Sequence, residues 1–149
     1  MDQLTISAVF CEDIRQEQSG QFTLVGVYPG VAFVDHGETE FFANWIKIDG
    51  LSPGPHQLRF KAEFEDSHGQ TVFADREIEV ESPTEESALV LTPTGLGITP
   101  EHSGSLSLSI SIDDEIKASR WRKIAMIKLQ VSPPLDDEEK EEVTLEDLL

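Results

Sequence analysis

The residue types most capable of chemistry lie together near the N-terminus, in the stretch CEDIRQE at 11–17. A thiol beside a base, or a pair of carboxylates, could support nucleophilic or acid–base catalysis. On a strand, however, Glu12 and Asp13 face opposite sides and cannot easily share one substrate. Both acids also disfavour the thiolate of Cys11, which opposes its use as a nucleophile. We therefore predict a structural thiol, and a surface ion pair between Arg15 and Glu17.

The candidate metal ligands are the four histidines and the acidic turn DDE at 113–115. Each histidine falls in a predicted loop beside Gly or Pro, namely His36, His56, His68 and His102. They lack the H-x-H and H-E-x-x-H spacings of metal sites, and the acidic turn lacks the D-x-D-x-D-G spacing of a calcium-binding loop. Convergence of two loops at one end of the fold stays open. The sequence predicts solvent-exposed turn histidines, no metal and no cofactor.

Basic residues are scarce, yet a cluster of them surrounds Trp121 in KASRWRKIAMIKLQ at 117–130. Five of the eleven Lys and Arg residues lie there: Lys117, Arg120, Arg122, Lys123 and Lys128. Such a cluster is typical of nucleic-acid binding, but a net charge of −18 opposes that function. An acidic partner peptide, or the chain's own tail, is the better electrostatic match. The predicted partner-binding residues here are Lys117, Arg120, Trp121, Arg122 and Lys123. The alternative is that these charges only protect a sheet edge from aggregation.

The segment after Pro134 has a composition of its own. Eight of the 29 acids lie there, opposed by Lys140 alone. Because Pro cannot continue a strand ladder and like charges repel, we predict an acidic tail at 133–149, disordered or with a short helix. Three leucines in this tail could dock into a groove as a helix: Leu145, Leu148 and Leu149. Two alternatives are that they cover a sheet edge or that they have no role.

Period-two alternation of apolar and polar residues recurs along the rest of the chain and indicates half-buried strands. It is clearest at 3–10, at 57–64 and in SLSLSISI at 105–112, where four serines should form a wet outer face. Gly and Pro turns separate these runs, and no helical period precedes residue 134. Weaker strand candidates lie at 21–28, 31–34, 41–48, 71–80, 87–92 and 122–131.

About eight strands without intervening helices predict an all-β protein. We predict a single antiparallel, immunoglobulin-like β-sandwich over residues 1–132, followed by the tail at 133–149. A closed barrel is the alternative. Tyr28, Trp45 and Trp121 all lie in predicted strands, where packing in the core is the expectation.

Composition excludes several classes of protein. No run approaches the roughly 18 apolar residues of a membrane span, and the N-terminus lacks the pattern of a signal peptide. A single cysteine precludes an internal disulfide. The acidic balance disfavours nucleic acid and anionic lipid as partners. We predict a cytoplasmic chain with a protein partner and without direct nucleic-acid or membrane contact. Self-association through a sheet edge or the tail stays open.

The stretch VFCEDIRQEQSGQFTLVGVYPG at 9–30 resembles the N-terminal signature of a family of small uncharacterised bacterial and phage proteins, a domain of unknown function. In that signature a strand ends in Cys-acid-acid-x-Arg-x-Glu, and a Gly turn leads into an apolar strand that closes in Gly-x-Tyr. The resemblance implies a compact β-sandwich and transfers no catalytic residue. The matching positions are Cys11, Glu12, Asp13, Arg15, Glu17, Gly20, Gly26 and Tyr28.

Together these features predict a non-enzymatic binding or protein-interaction module, with the tail as a docking element. One alternative is an acidic mimic of nucleic acid, which requires ordered rows of acids on the folded body. Another is a sugar-binding or enzymatic sandwich, which requires a concave site that joins carboxylates to exposed aromatic side chains.

Overall fold

The computed structural model describes residues 4–83 and 88–134, and nearly all of its regular structure is strand. One short helix, α1 (Asp114–Lys117), precedes the last strand. In chain order the ten strands are β1 (Thr5–Gln16), β2 (Phe22–Val27), β3 (Val31–Val34), β4 (Glu40–Asp49), β5 (Gly54–Asp66), β6 (Gly69–Ser82), β7 (Leu89–Leu91), β8 (Leu96–Ile98), β9 (Gly104–Ile112) and β10 (Arg122–Val131).

The strands form two sheets whose apolar faces enclose one core. The first sheet has the order β2-β1-β4-β7, with β8 paired to another part of β4, and the second has the order β3-β10-β9-β5-β6. The neighbours β1-β4-β7 and β5-β9-β10 match the A-B-E and C-F-G neighbours of an immunoglobulin sandwich. The predicted all-β, immunoglobulin-like sandwich is confirmed, and two separate sheets replace the alternative of a closed barrel.

The core is built from the alternating apolar positions of both sheets. On β4, Phe42, Ile46 and Ile48 are at most 1% exposed. From the second sheet, Leu106 and Ile110 of β9 are fully buried in the same cluster. Complete burial of each such side chain stabilises the fold by roughly 1.5–3 kcal/mol.

Three features of the strands differ from the prediction. Strand β3 runs parallel to β10, so the sandwich is not wholly antiparallel. Strand β8 begins within the Gly- and Pro-containing segment TPTGLG at 92–97, where the sequence predicted a turn, and the acidic turn at 113–115 opens into α1. The sequence of β3 does not indicate whether its partner runs parallel or antiparallel. Elements of three or four residues, such as β8 and α1, are too short to show a period of apolar residues.

The prediction of a wet serine face on β9 is wrong. Ser107, Ser109 and Ser111 are 8%, 6% and 0% exposed. Their strand is the central one of the second sheet, and longer side chains of β5 and β10 stand on both sides of it. Ser111 donates a hydrogen bond from Oγ to the Arg120 carbonyl, at 2.7 Å. The small serine side chains therefore form the floor of a groove between the longer side chains of β5 and β10. We call this groove the serine furrow.

Strand β10 ends at Val131, close to the predicted boundary of the tail. The Ser132 N–H still donates to the Val34 carbonyl, at 3.0 Å. Residues from 135 onward lie outside the described part, and with them the predicted docking residues Leu145, Leu148 and Leu149. Within the described ranges, no helix has the length and apolar character needed to cross a membrane.

Candidate functional site

The charged N-terminal stretch is the continuation of β1. Cys11 is 0% exposed, and its Sγ lies 3.6 Å from the Ala43 carbonyl oxygen on β4. Burial, and next the charge of Asp13, raise the pKa of the Cys11 thiol. The predicted structural thiol is thus confirmed. Glu12 lies over Gly26, whose φ of 66° is in the left-handed region that favours glycine.

We expect Cys11 to react with iodoacetamide only when the protein unfolds, because its thiol is buried and its thiolate is disfavoured. Mass spectrometry after timed alkylation, with and without denaturant, measures this. Modification of the native chain as fast as that of the unfolded chain would contradict the structural assignment.

The predicted Arg15–Glu17 ion pair is wrong. Arg15 Nε lies 3.6 Å from Asp13 Oδ2, and Glu17 accepts a hydrogen bond from the Thr23 hydroxyl at 2.9 Å. Asp13 and Arg15 lie on the same face of β1, and Glu17 follows the end of the strand at Gln16, so the two-residue spacing allowed either pairing. Both groups of the observed pair are more than half exposed, and such pairs contribute about 0–1 kcal/mol.

His56 departs from the prediction that all four histidines are exposed. It is 9% exposed; Nδ1 lies 2.6 Å from Asp113 Oδ2, and Nε2 lies 2.6 Å from the Ser52 carbonyl oxygen. The hydrogen bond to Asp113 is the main cause that raises the pKa of His56. The other three histidines are exposed as predicted.

Two of the histidine loops do converge. The rings of His68 and His102 lie 4.3 Å apart between centroids, tilted by 32°. The two rings therefore contact each other across the two loops. Within residues 4–83 and 88–134, no group of three or more His, Cys, Asp or Glu side chains is placed to hold a metal ion.

The basic cluster predicted around Trp121 is divided by the fold. The Trp121 ring lies on the outer side of the second sheet, 4.3 Å from Lys61 Nζ and 5.2 Å from Arg59 Cζ. Both cations come from β5, opposite Ser109 and Ser111. Trp121 therefore extends across the serine furrow. Each cation–π contact contributes about 0.5–1 kcal/mol at such a site.

The other predicted members lie at three different places. Arg122 binds Glu115 at 3.0 Å, at the end of the sheet beside α1. Lys117 and Arg120 are exposed on the connection between β9 and β10. Lys123 pairs in register with Ser109, which places it on the same face as Trp121. The structure thus groups Trp121 and Lys123 with two β5 residues that sequence proximity did not indicate.

Beyond Lys123, the outer side of β10 continues onto the edge strand β3. A bulge after Lys123 resets the alternation, so that Met126, Lys128 and Gln130 face outward. Register places Val31 beside Lys128 and Phe33 beside Gln130. Phe33 is 77% exposed and Met126 is 50% exposed. We name this set the β3–β10 strip, and its members are Val31, Phe33, Lys123, Met126, Lys128 and Gln130.

The opposite margin of the same sheet is acidic. Asp75, Glu77, Glu79 and Glu81 alternate on the outer side of β6. Arg59 binds Asp75 through two nitrogens, at 2.8 and 2.7 Å, which lowers the pKa of Asp75. A nucleic-acid mimic requires ordered rows of acids, and in this row the charge of Asp75 is neutralised by Arg59. The outer face is therefore polarised, with cations on β10 and acids on β6.

A cleft of about 660 Å³ opens between the two sheets, on the side of β6 and the β7–β8 connection. It exists because β4 pairs with β8 at one end and with β7 at the other, while residues 92–95 pass outside the ladder. Pro93 lacks an N–H and cannot act as a ladder donor, but its carbonyl accepts the Asn44 N–H at 2.8 Å. Apolar side chains line most of the cleft, among them Phe60, Leu91 and Leu108.

Asn44 is the functional candidate that sequence analysis missed. It occupies a core-facing position of β4, between Phe42 and Ile46, and is 3% exposed. Its side chain lines the cleft, and Oδ1 has no hydrogen-bond partner in the described part of the chain. An unpaired buried acceptor costs about 1–3 kcal/mol. The available signal was an amide in the apolar phase of FFANWIKI at 41–48.

No family model matches this chain, and no curated protein matches it. Among solved structures, it is similar to the CARDB domain of a Pyrococcus furiosus protein, a domain crystallised in complex with di-metal ions. The identity is 13%, the match covers 87% of this chain and 94% of that one, and the TM-score is 0.41. The assignment of the fold rests on the strand order of the two sheets.

A sugar-binding sandwich would need exposed aromatic side chains at a concave site, and Tyr28, Trp45 and Trp121 are the Tyr and Trp residues of the sequence. Neither the cleft nor a shallower depression beside Phe33 is lined by Tyr28, Trp45 or Trp121. Tyr28 packs against the core as expected, with its ring 5.2 Å from that of Phe42. Trp45 and Trp121 are half-buried and lie on outward faces, so the expectation of core packing is wrong for both.

Proposed function

We propose that this chain is a non-enzymatic binding module that takes up an acidic peptide segment of a partner protein along the β3–β10 strip. The observation that carries the proposal is the composition of this strip. Three of its side chains are exposed and apolar, two are lysines and none is acidic. Such a surface is unusual on a chain with a net charge of −18.

The apolar members supply the driving force for this association. Phe33, Met126 and Val31 are 77%, 50% and 38% exposed. Large aromatic and Met side chains are enriched at the centres of interfaces, where their burial dominates the binding free energy. A depression of about 320 Å³ beside Phe33, also lined by Gln130 and Asp35, offers room for an apolar side chain of the peptide, whose acids then lie beside the lysines and away from Asp35.

The lysines set the sign of the charge on the peptide. In the described ranges, neither Lys123 nor Lys128 forms an ion pair, whereas Lys61 binds Glu63 and Arg59 binds Asp75. Complementary charges accelerate encounter and select against wrong partners. The two lysines therefore attract an acidic peptide to this strip and repel a basic one.

The dimensions and surroundings of the strip favour a short peptide over a nucleic acid. From Lys123 to Gln130 the strand extends about 23 Å, the length of roughly seven extended residues. A longer polyanion would also meet the acidic margin on β6. The chain's own residues 136–149, DDEEKEEVTLEDLL, combine acids with leucines and supply a probe of the right chemistry.

We expect a labelled peptide of sequence DDEEKEEVTLEDLL to bind with a micromolar dissociation constant to the chain truncated after Pro134. The truncation removes a competing tail and spares the described core, whose last member is Leu129. Lys123→Glu with Lys128→Glu should weaken binding at least tenfold, since attraction becomes repulsion. Fluorescence anisotropy at low and moderate salt measures both effects.

Lys47→Glu is the control for a charge reversal elsewhere, because Lys47 is a half-buried lysine on the first sheet, away from the strip. A peptide whose acids are replaced by Gln and Asn should not bind. The proposal fails if the acidic peptide does not bind, or if the Lys47 variant loses as much affinity as the double variant.

A further inference from the structure

The cleft between the sheets is separate from the β3–β10 strip and has the character of a small-molecule site. Its floor comes from both inner faces, with Phe60 and Leu108 on the second sheet and Asn44 on the first. Its mouth lies between β6 and the connection at 92–97. A volume of about 660 Å³ is within the usual range of roughly 300–1,000 Å³ for ligand pockets.

The polar residues that line the cleft differ in burial: Asp75, Arg76, Thr92 and Thr94 lie on β6 and the 92–97 connection and are at least partly exposed, whereas Asn44 is buried. Among the buried polar side chains of the described chain, Asn44 is the one that lines this cleft. Its backbone N–H donates a hydrogen bond to the Pro93 carbonyl, whereas its side-chain Oδ1 has no hydrogen-bond partner in the described chain. Buried polar atoms are nearly always hydrogen-bonded, to protein or to another molecule, so this acceptor needs a donor from the cleft.

We propose that the cleft binds a small, mainly apolar molecule whose single hydroxyl or N–H group donates a hydrogen bond to Asn44 Oδ1. Apolar walls supply affinity through burial, and the amide selects ligands that carry a donor. A site built to pair a polar group discriminates strongly against the analogue that lacks it, because its own buried atom is then left unpaired.

Strand geometry supports access from the β6 side. Ala74 pairs with Ala62 and Arg76 pairs with Phe60, so both β6 residues stand on the inner side at the mouth. Ala74 and Arg76 are exposed. Because these inner-side residues of the edge strand are exposed, the cleft is open to solvent at β6. A ligand can therefore enter without unfolding of the core.

Naphthol and its methyl ether, methoxynaphthalene, form a matched pair of probes, since only the first carries a donor. We expect naphthol to bind the full chain at least tenfold more tightly than the ether. Amide chemical shifts in titrations followed by ¹⁵N NMR should change at Asn44, at 73–78 and at 92–97. Absence of naphthol binding, equal affinity for both probes, or shifts confined to other regions would overturn the proposal.

Two variants separate ligand binding from a structural role of the amide. Asn44→Leu keeps the side-chain size and removes the unpaired oxygen, so we expect a higher melting temperature and at least tenfold weaker naphthol binding. Ala74→Trp should cover the mouth and weaken binding similarly, whereas Val72→Trp, at an exposed outward position of the same strand, should not. A Leu variant that melts lower and binds naphthol normally would show that Asn44 serves the fold alone.

Discussion

Gly104→Val is expected to destabilise the sandwich by about 3 kcal/mol, near the upper end of the usual cost of overpacking a core. Gly104 begins β9, where a Cβ would overlap the Glu65 carbonyl oxygen and stand 2.7 Å from Phe64 Cζ. The carbonyl belongs to the backbone of β5 and cannot rotate away. Relief therefore requires displacement of a central strand pair, which also disturbs the contact between Phe64 and Phe73.

Thermal unfolding followed by circular dichroism measures this effect. A loss of about 3 kcal/mol lowers the melting temperature of a chain of this size by about 10 °C. Ser105→Val is the matched control, since Ser105 is the next residue, faces outward and is only half-buried. Equal melting temperatures for the two variants would contradict the close approach of β5 at Gly104.

The strands were largely predictable because their signal is local. In 57–64 and 105–112 the alternation of apolar and polar residues indicates which side of the sheet each side chain lies on. Both segments lie within strands of the second sheet. The identity of the neighbouring strand is not a local property. The burial of Ser107 and Ser109 depends on β9 being central, and the direction of β3 depends on a partner about 97 residues later in the chain.

The candidate sites depend even more strongly on residues that are distant in the sequence. Trp121 was recognisable as the aromatic centre of a basic segment, but Arg59 and Lys61 come from β5, far away in sequence. The β3–β10 strip likewise joins Phe33 to Met126 through a register that a bulge sets. Asn44 was visible as a polar residue in an apolar phase, but its cleft depends on where β7 and β8 leave the ladder.

The His56–Asp113 pair is expected to make stability depend on pH, and Asp113→Asn should remove that dependence. The partners are 57 residues apart and join the start of β5 to the end of β9. Because Asp113 raises the pKa of His56 above its unfolded value of about 6.5, the charged pair stabilises the native state below that pH. The contribution is lost as the pH rises through the folded-state pKa.

Asparagine suits position 113, because it has the same shape as aspartate and retains Oδ1 as the acceptor for the Gln57 N–H. A charge-assisted hydrogen bond contributes about 1.5–3 kcal/mol, and with Asp113 42% exposed we expect solvent screening to reduce this to about 1–2 kcal/mol. Urea unfolding at about pH 5.5 and about pH 8.5 should therefore show the Asn variant clearly less stable at the lower pH and nearly equal to the parent chain at the higher pH.

The general effect of acid on so negative a chain complicates any single unfolding curve, so the informative quantity is the difference between parent and variant at each pH. Protonation of the other acids affects both proteins alike and cancels in that difference. His56→Gln should reproduce the pH profile of the Asn variant, and combining the two substitutions should add no further pH dependence. A constant difference between parent and Asn variant across the range would mean that the charge of His56 makes no contribution through Asp113, and would contradict the predicted pH dependence.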